Sequence, residues 1–166
     1  MKKSTVLIMW AVIALITVLA ACGTQKTQAY YDYESKVIGT ELDGSYTIRA
    51  WGRARNAMDA YTQARRTAVY DVIFNQIQIA SGTAPTTSGM LKPLLMEVNA
   101  KTKYEDYFNA FFADGGEFEK YCSMKDKRLF STKYQKTDAQ TQAQVTVRVY
   151  RSKLKAKLIE DGILPK

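Results

Sequence analysis

Histidine is missing from all 166 residues. That absence removes a Ser-His-Asp or Cys-His apparatus and any His-ligated metal. Cysteine is scarce. Cys22 and Cys122 are the only two, too few for a disulfide scaffold or a four-thiolate zinc site. No internal repeat and no low-complexity segment is visible. What is present is ordinary for a globular chain with a core: 46% apolar and 24% charged residues, which excludes disorder as a description of the whole. No composition feature implies a cofactor.

One long apolar run exists, residues 6–21, interrupted only by Thr17 and preceded by Met1-Lys2-Lys3-Ser4-Thr5. A short basic segment before about 15 apolar residues has the pattern of a secretory signal, and the run is a little short for a permanent span. It ends in Leu19-Ala20-Ala21-Cys22-Gly23. Here the chain resembles the bacterial lipoprotein signal, which implies cleavage before Cys22 and acylation (palmitate among the chains) of that residue. Each buried methylene contributes ~0.8 kcal/mol, so several acyl chains anchor a protein almost permanently. Glycine rather than aspartate after the cysteine implies, within that resemblance, an outer-membrane lipoprotein facing the periplasm. An ordinary signal peptide with an incidental cysteine and an uncleaved anchor helix are the alternatives.

The expected organisation is a signal at residues 1–21, a lipidated N-terminus and polar tether at 22–35, and a single α+β domain at 36–166. In the domain, Asp43-Gly44 between the β-prone runs 37–42 and 45–52 predicts a tight hairpin. Tyr46, Ile48 and Ala50 fall on one face of the second run, and Thr47, Arg49 and Trp51 fall on the other. From residue 53 the period changes to three- and four-residue steps through Ala57, Tyr61, Ala64, Ala68, Val72 and Ile79, predicting an amphipathic helix over 53–80. Residues 81–89 carry turn formers. A second, aromatic helix is expected over 91–113, with Pro93 in its first turn and Gly115-Gly116 ending it. Residues 127–136 and 144–150 predict a second hairpin. Extending that last strand would bury Arg151, Lys153, Lys155 and Lys157, which is too costly. A short helix over 152–160 burying Leu154 and Leu158 is the consequence. The order predicts an antiparallel sheet from two hairpins, with two main helices on one face and a short C-terminal helix.

Without histidine, a general base must be a carboxylate, lysine or tyrosine. Glu105 and Asp106 are adjacent on a helix and diverge by about 100°. Glu117 and Glu119 read as part of a solvated loop, and Glu160-Asp161 lie near the chain end. None converges on a site. Cys122 has cations nearby that would lower its pKa toward a reactive thiolate, against the simpler reading of a partly buried loop residue.

The formal net charge is +8. The C-terminal cations and the aromatic helix supply the contact candidates Tyr104, Tyr107, Phe112, Arg151, Lys153, Lys155 and Lys157. Nucleic acid is not expected of an envelope protein. The membrane itself, an envelope protein or an anionic polymer fits the compartment better.

The segment Ile48-Arg49-Ala50-Trp51-Gly52-Arg53-Ala54-Arg55-Asn56, leading into Ala57, Ala60, Ala64, Arg65 and Ala68, resembles the small bacterial envelope lipoproteins of the Lpp-twenty type and the N-terminal domain of the flagellar assembly protein FlgT. That resemblance spans residues 45–80 and 126–160 and implies a non-enzymatic envelope module with no catalytic residues. The expected function is therefore a lipid-anchored binding or assembly module. The alternatives are a small-ligand carrier with its pocket between helices and sheet, and an enzyme centred on Cys122.

Overall fold

A computed structural model describes residues 34–80, 89–124, 133–136 and 141–165. The signal, Cys22, most of the tether, the 81–88 loop, residues 127–132 and the 137–140 turn lie outside the described residues. Strands β1 (Lys36–Thr40) and β2 (Tyr46–Ala54) form the expected antiparallel hairpin. Gly44 takes φ +75° in its turn, and the backbone closes through Glu41 N–H to Ser45 O at 2.9 Å. That conformation is open to glycine and strained for most other residues. Ile48 and Ala50 are fully buried while Arg49 is exposed, as the alternation predicts, but Thr47 on the opposite face is buried as well, so the pattern fails at the start of the strand.

Helix α1 (Ala57–Phe74) crosses the sheet on the buried face of β2. Asn56 caps it: its side-chain oxygen accepts the Asp59 N–H at 2.9 Å, and its amide donates back to the Asp59 carboxylate at 2.8 Å. The small stripe is what brings α1 close. Ala60, Ala64 and Ala68 are wholly buried, and a Cβ on Gly52 would collide with the backbone of Ala60 and Ala64.

Helix α1 stops at Phe74, short of the predicted end. Asn75 is extended, and Ile77 and Ile79 belong to strand β3 (Ile77–Ile79), which pairs in parallel with β1. Alternating β-branched residues beside an unpaired strand edge favour the ladder over another helical turn. Strand β4 (Met90–Leu91) pairs with β3, where the sequence predicted a helix start. Residues 92–99 form a strap instead. Its reason lies in α1: a helix leaves its last carbonyls without partners, and the N–H groups of Leu94 and Leu95 take those of Val72 and Ile73 at 3.0 and 2.9 Å. The aromatic helix therefore begins late and in two pieces, α2 (Ala100–Lys103) and α3 (Glu105–Phe111). Asn99, with φ 65°, precedes the first, and Gly115, with φ 71°, follows the second.

Residues Glu117–Tyr121 form a 3-10 turn and not a solvated loop, because Phe118 is completely buried. Strands β5 (Cys122–Met124) and β6 (Lys133–Lys136) both pair with β7 (Thr141–Val149), along the side away from β2. Cys122 thus lies in a strand. Helix α4 (Arg151–Glu160) follows and buries Leu154 and Leu158 as expected. The sheet runs β4-β3-β1-β2-β7, with β5 and β6 on its outer edge. The fold is α+β, its sheet antiparallel apart from the β1–β3 pair. The described residues all fall in one compact unit.

Candidate functional site

A recess lies on the outer side of α1, where α2 and α3 lean against it. It has a volume of about 770 Å³. Helix α1 contributes Arg66, Tyr70 and Phe74, residues four apart that stand one above another on a helix. Helices α2 and α3 contribute Lys101 and Phe108, and Phe112 follows directly at the end of α3. The rings form one floor: Tyr70 to Phe74 at 4.8 Å, Phe74 to Phe108 at 4.7 Å, and Tyr70 to Phe112 at 5.8 Å between centroids. Tilted and edge-on pairs at these spacings are favourable for aromatic quadrupoles. The Lys101 ammonium sits over this floor, 4.7 Å from the Tyr70 ring and 5.1 Å from Phe74. Asp71 and Glu105 add negative charge to the rim, and Thr67, Thr102 and Asn109 add hydrogen-bonding groups.

Arg66 closes one end. It donates to Gln63 Oε1 at 3.1 Å and to Asp114 Oδ1 at 2.6 Å, and lies 5.4 Å from the Phe118 centroid. Beyond it opens a smaller recess of about 440 Å³ lined by Arg53, Asp59, Asp114 and Glu119. The two share Gln63 and Arg66. At the Gly52 crossing the helix and sheet backbones touch, and both recesses are lined by α1 residues away from that crossing.

No family model, curated protein or solved structure matches the chain.

The residues singled out from sequence have separate fates. Phe112 lines the groove. Tyr104 is half-buried against the core, with Lys103 Nζ 4.8 Å from its ring. Tyr107 turns away and donates its hydroxyl to Asp161 Oδ2 at 2.6 Å. Burial, reinforced by that carboxylate, raises the Tyr107 pKa. Lys157 meets the same carboxylate at 2.9 Å and Glu117 at 3.7 Å. The Asp161 contact raises the Lys157 pKa. Burial acts upward on Asp161, but the hydrogen bonds from Tyr107 and Lys157 outweigh it and its pKa is lowered. Tyr107 and Lys157 are thus joined in a clasp between α3 and α4, distinct from the groove. Arg151 donates to the Lys92 carbonyl at 3.1 Å, while Lys153 and Lys155 are exposed.

Cys122 is buried, 3.6 Å from the Arg65 guanidinium. Burial pushes its thiol pKa up despite that cation, the reverse of the shift expected from nearby charge. Among the described residues no group of three or more Cys, Asp or Glu is placed to hold a metal, and no helix is long and apolar enough to cross a membrane. The groove residues on α1 escaped the sequence reading, although Arg66, Tyr70 and Phe74 carry a signal: large side chains at i, i+4 and i+8 on the polar side of an alanine stripe.

Proposed function

We propose that this chain is a lipid-anchored, non-catalytic binding module of the bacterial envelope, and that the groove between α1 and α3 holds its partner. The observation that carries this reading is the groove itself: an aromatic floor with charged and hydrogen-bonding groups around it. Aromatic side chains supply contact area at low entropic cost, and a few polar groups fix orientation. The lipoprotein-like sequence around Cys22 supports the address, an outer-membrane lipoprotein facing the periplasm. The partner is an envelope protein or an anionic polymer, and no cofactor is required. The clasp residues Tyr107 and Lys157 serve the fold, which leaves Phe112 as the sequence-predicted contact in the groove.

The test is in-cell crosslinking of the tagged, full-length protein with a photoreactive residue at Asn109 on the groove rim. A recurrent partner, lost when Phe112→Ala or Lys101→Glu is added, supports the reading. Identical capture from wild type and both variants overturns the groove as the contact. The address is tested separately, since Cys22→Ala that still fractionates with membranes shows that acylation is not what holds the chain there.

A further inference from the structure

Three segments far apart in sequence meet at one end of the domain. The β1–β2 turn receives the Ser152 hydroxyl, which lies 3.5 Å from the Asp43 carbonyl and 3.4 Å from that of Gly44. The 92–99 strap is joined to the same first turn of α4 by Arg151, which donates to the Lys92 carbonyl. The end so built carries two kinds of protruding side chain. Leu42 at the hairpin tip is fully exposed, and Met96 and Val98 on the strap are largely so. Lys92 on the strap and Lys153 and Lys155 on α4 are exposed as well.

Some of the cations bordering this end are neutralised and others are not. Arg148 is paired with Asp43 of the turn, and Lys103 with Glu97 of the strap. Among the described residues, none of Lys92, Lys153 or Lys155 lies within ion-pair distance of a carboxylate. Lys153 instead stands 5.0 Å from the Tyr150 ring. Apolar side chains projecting among unneutralised lysines match the boundary of an anionic bilayer, where the first enter the headgroup region and the second meet phosphates. An acidic protein would satisfy the lysines but gives no reason for an aliphatic residue at the hairpin tip.

We infer that this end docks on the anionic phospholipid headgroups of the membrane to which the chain is anchored. This rests on the lipid-anchor reading above. Cys22 and Glu34 are 12 positions apart, at most about 40 Å fully extended, so an anchored domain stays within reach of the surface. Tethering at that range makes a weak contact sufficient, because the second binding event is intramolecular.

The experiment uses the full-length protein reconstituted into vesicles, with an environment-sensitive fluorophore on Leu42→Cys and a lipid-borne quencher. Cys122 is buried, and labelling of the parent chain without the introduced cysteine gives the background. The control probe is Arg55→Cys, beyond the far end of β2. Strong quenching at position 42 in phosphatidylglycerol vesicles, weak quenching in phosphatidylcholine or at high salt, and weak quenching at position 55 throughout are expected. Replacing Lys153 and Lys155 by glutamine is expected to lower the docked-to-undocked ratio about fivefold per lysine. Equal quenching in the two lipids, or equal quenching at positions 42 and 55, overturns the inference. Intact mass reports whether Cys22 is acylated. Because the mass is read apart from the quenching, failure of the anchor reading and failure of docking are distinguishable.

Discussion

Gly52 of β2 faces the Ala60 carbonyl of α1 with no room for a methyl group between them. The closeness of strand and helix at this point sets the depth of the whole core, since Ala64 and Ala68 continue the same line of contact.

Gly52→Ala is therefore expected to be among the most damaging single-methyl changes in the chain. The added carbon meets backbone, which cannot rotate aside. Overpacking of this kind costs about 3 kcal/mol or more. Chemical denaturation of the variant measures it, and a loss under 1 kcal/mol would show that α1 rides higher on the sheet than described.

Phe118 is wholly buried between short elements, with Phe112 at 6.0 Å and the Arg66 guanidinium at 5.4 Å. Truncating it to alanine removes a large buried ring and leaves a cavity, with an expected cost of about 3–5 kcal/mol. The measurement is the shift in denaturation midpoint at unchanged slope.

Acid sensitivity is expected at the hairpin. Asp43 accepts hydrogen bonds from the Ser45 hydroxyl at 2.6 Å and the Ser45 backbone at 3.0 Å, and pairs with Arg148 at 2.9 Å. The Ser45 bonds and then Arg148 hold its pKa at about 2, below the usual 3.8. A depressed carboxylate stabilises the fold above its unfolded value and loses that contribution as pH falls through its folded value. The stability difference between wild type and Asp43→Asn should stay level above pH 4 and shrink toward zero near pH 2. A difference that grows on acidification would contradict the assigned partners.

At Cys122 the expected outcome is inertness. Its raised pKa and burial predict alkylation at pH 8 at least about tenfold slower in the folded protein than in denaturant. Cys122→Ser should leave partner capture unchanged. Fast labelling of the native protein would reopen a chemical role for this thiol.

The parts of this fold governed by local rules were legible in the sequence. The Asp43-Gly44 turn, the alternating faces of β2 and β7 and the Leu154–Leu158 helix follow from turn chemistry, strand period and the cost of burying four cations. The elements that escaped depend on distant partners. Ile77 and Ile79 fit either a helix or a strand until β1 offers an edge. Leu94 and Leu95 look helical until the open carbonyls of α1 claim their N–H groups. The same holds for the groove. Phe112 was visible as part of an aromatic stretch, whereas Tyr70 and Phe74 became its neighbours only through the packing of α3 on α1. The clasp between Tyr107, Lys157 and Asp161 spans 54 positions of sequence, and nothing local announces it.

Strands β5 and β6 lie end to end on one flank of β7, with Met124 opposite Val147 and Lys133 opposite Gln144. Their facing ends are therefore three residues of β7 apart, about 10 Å, yet the chain places eight residues between them. A detour with fixed, nearby ends is cheap to lengthen, at about 0.6 kcal/mol per doubling. Positions 125–132 are thus a natural port: a reporter or an affinity handle spliced there leaves the rungs on either side in register.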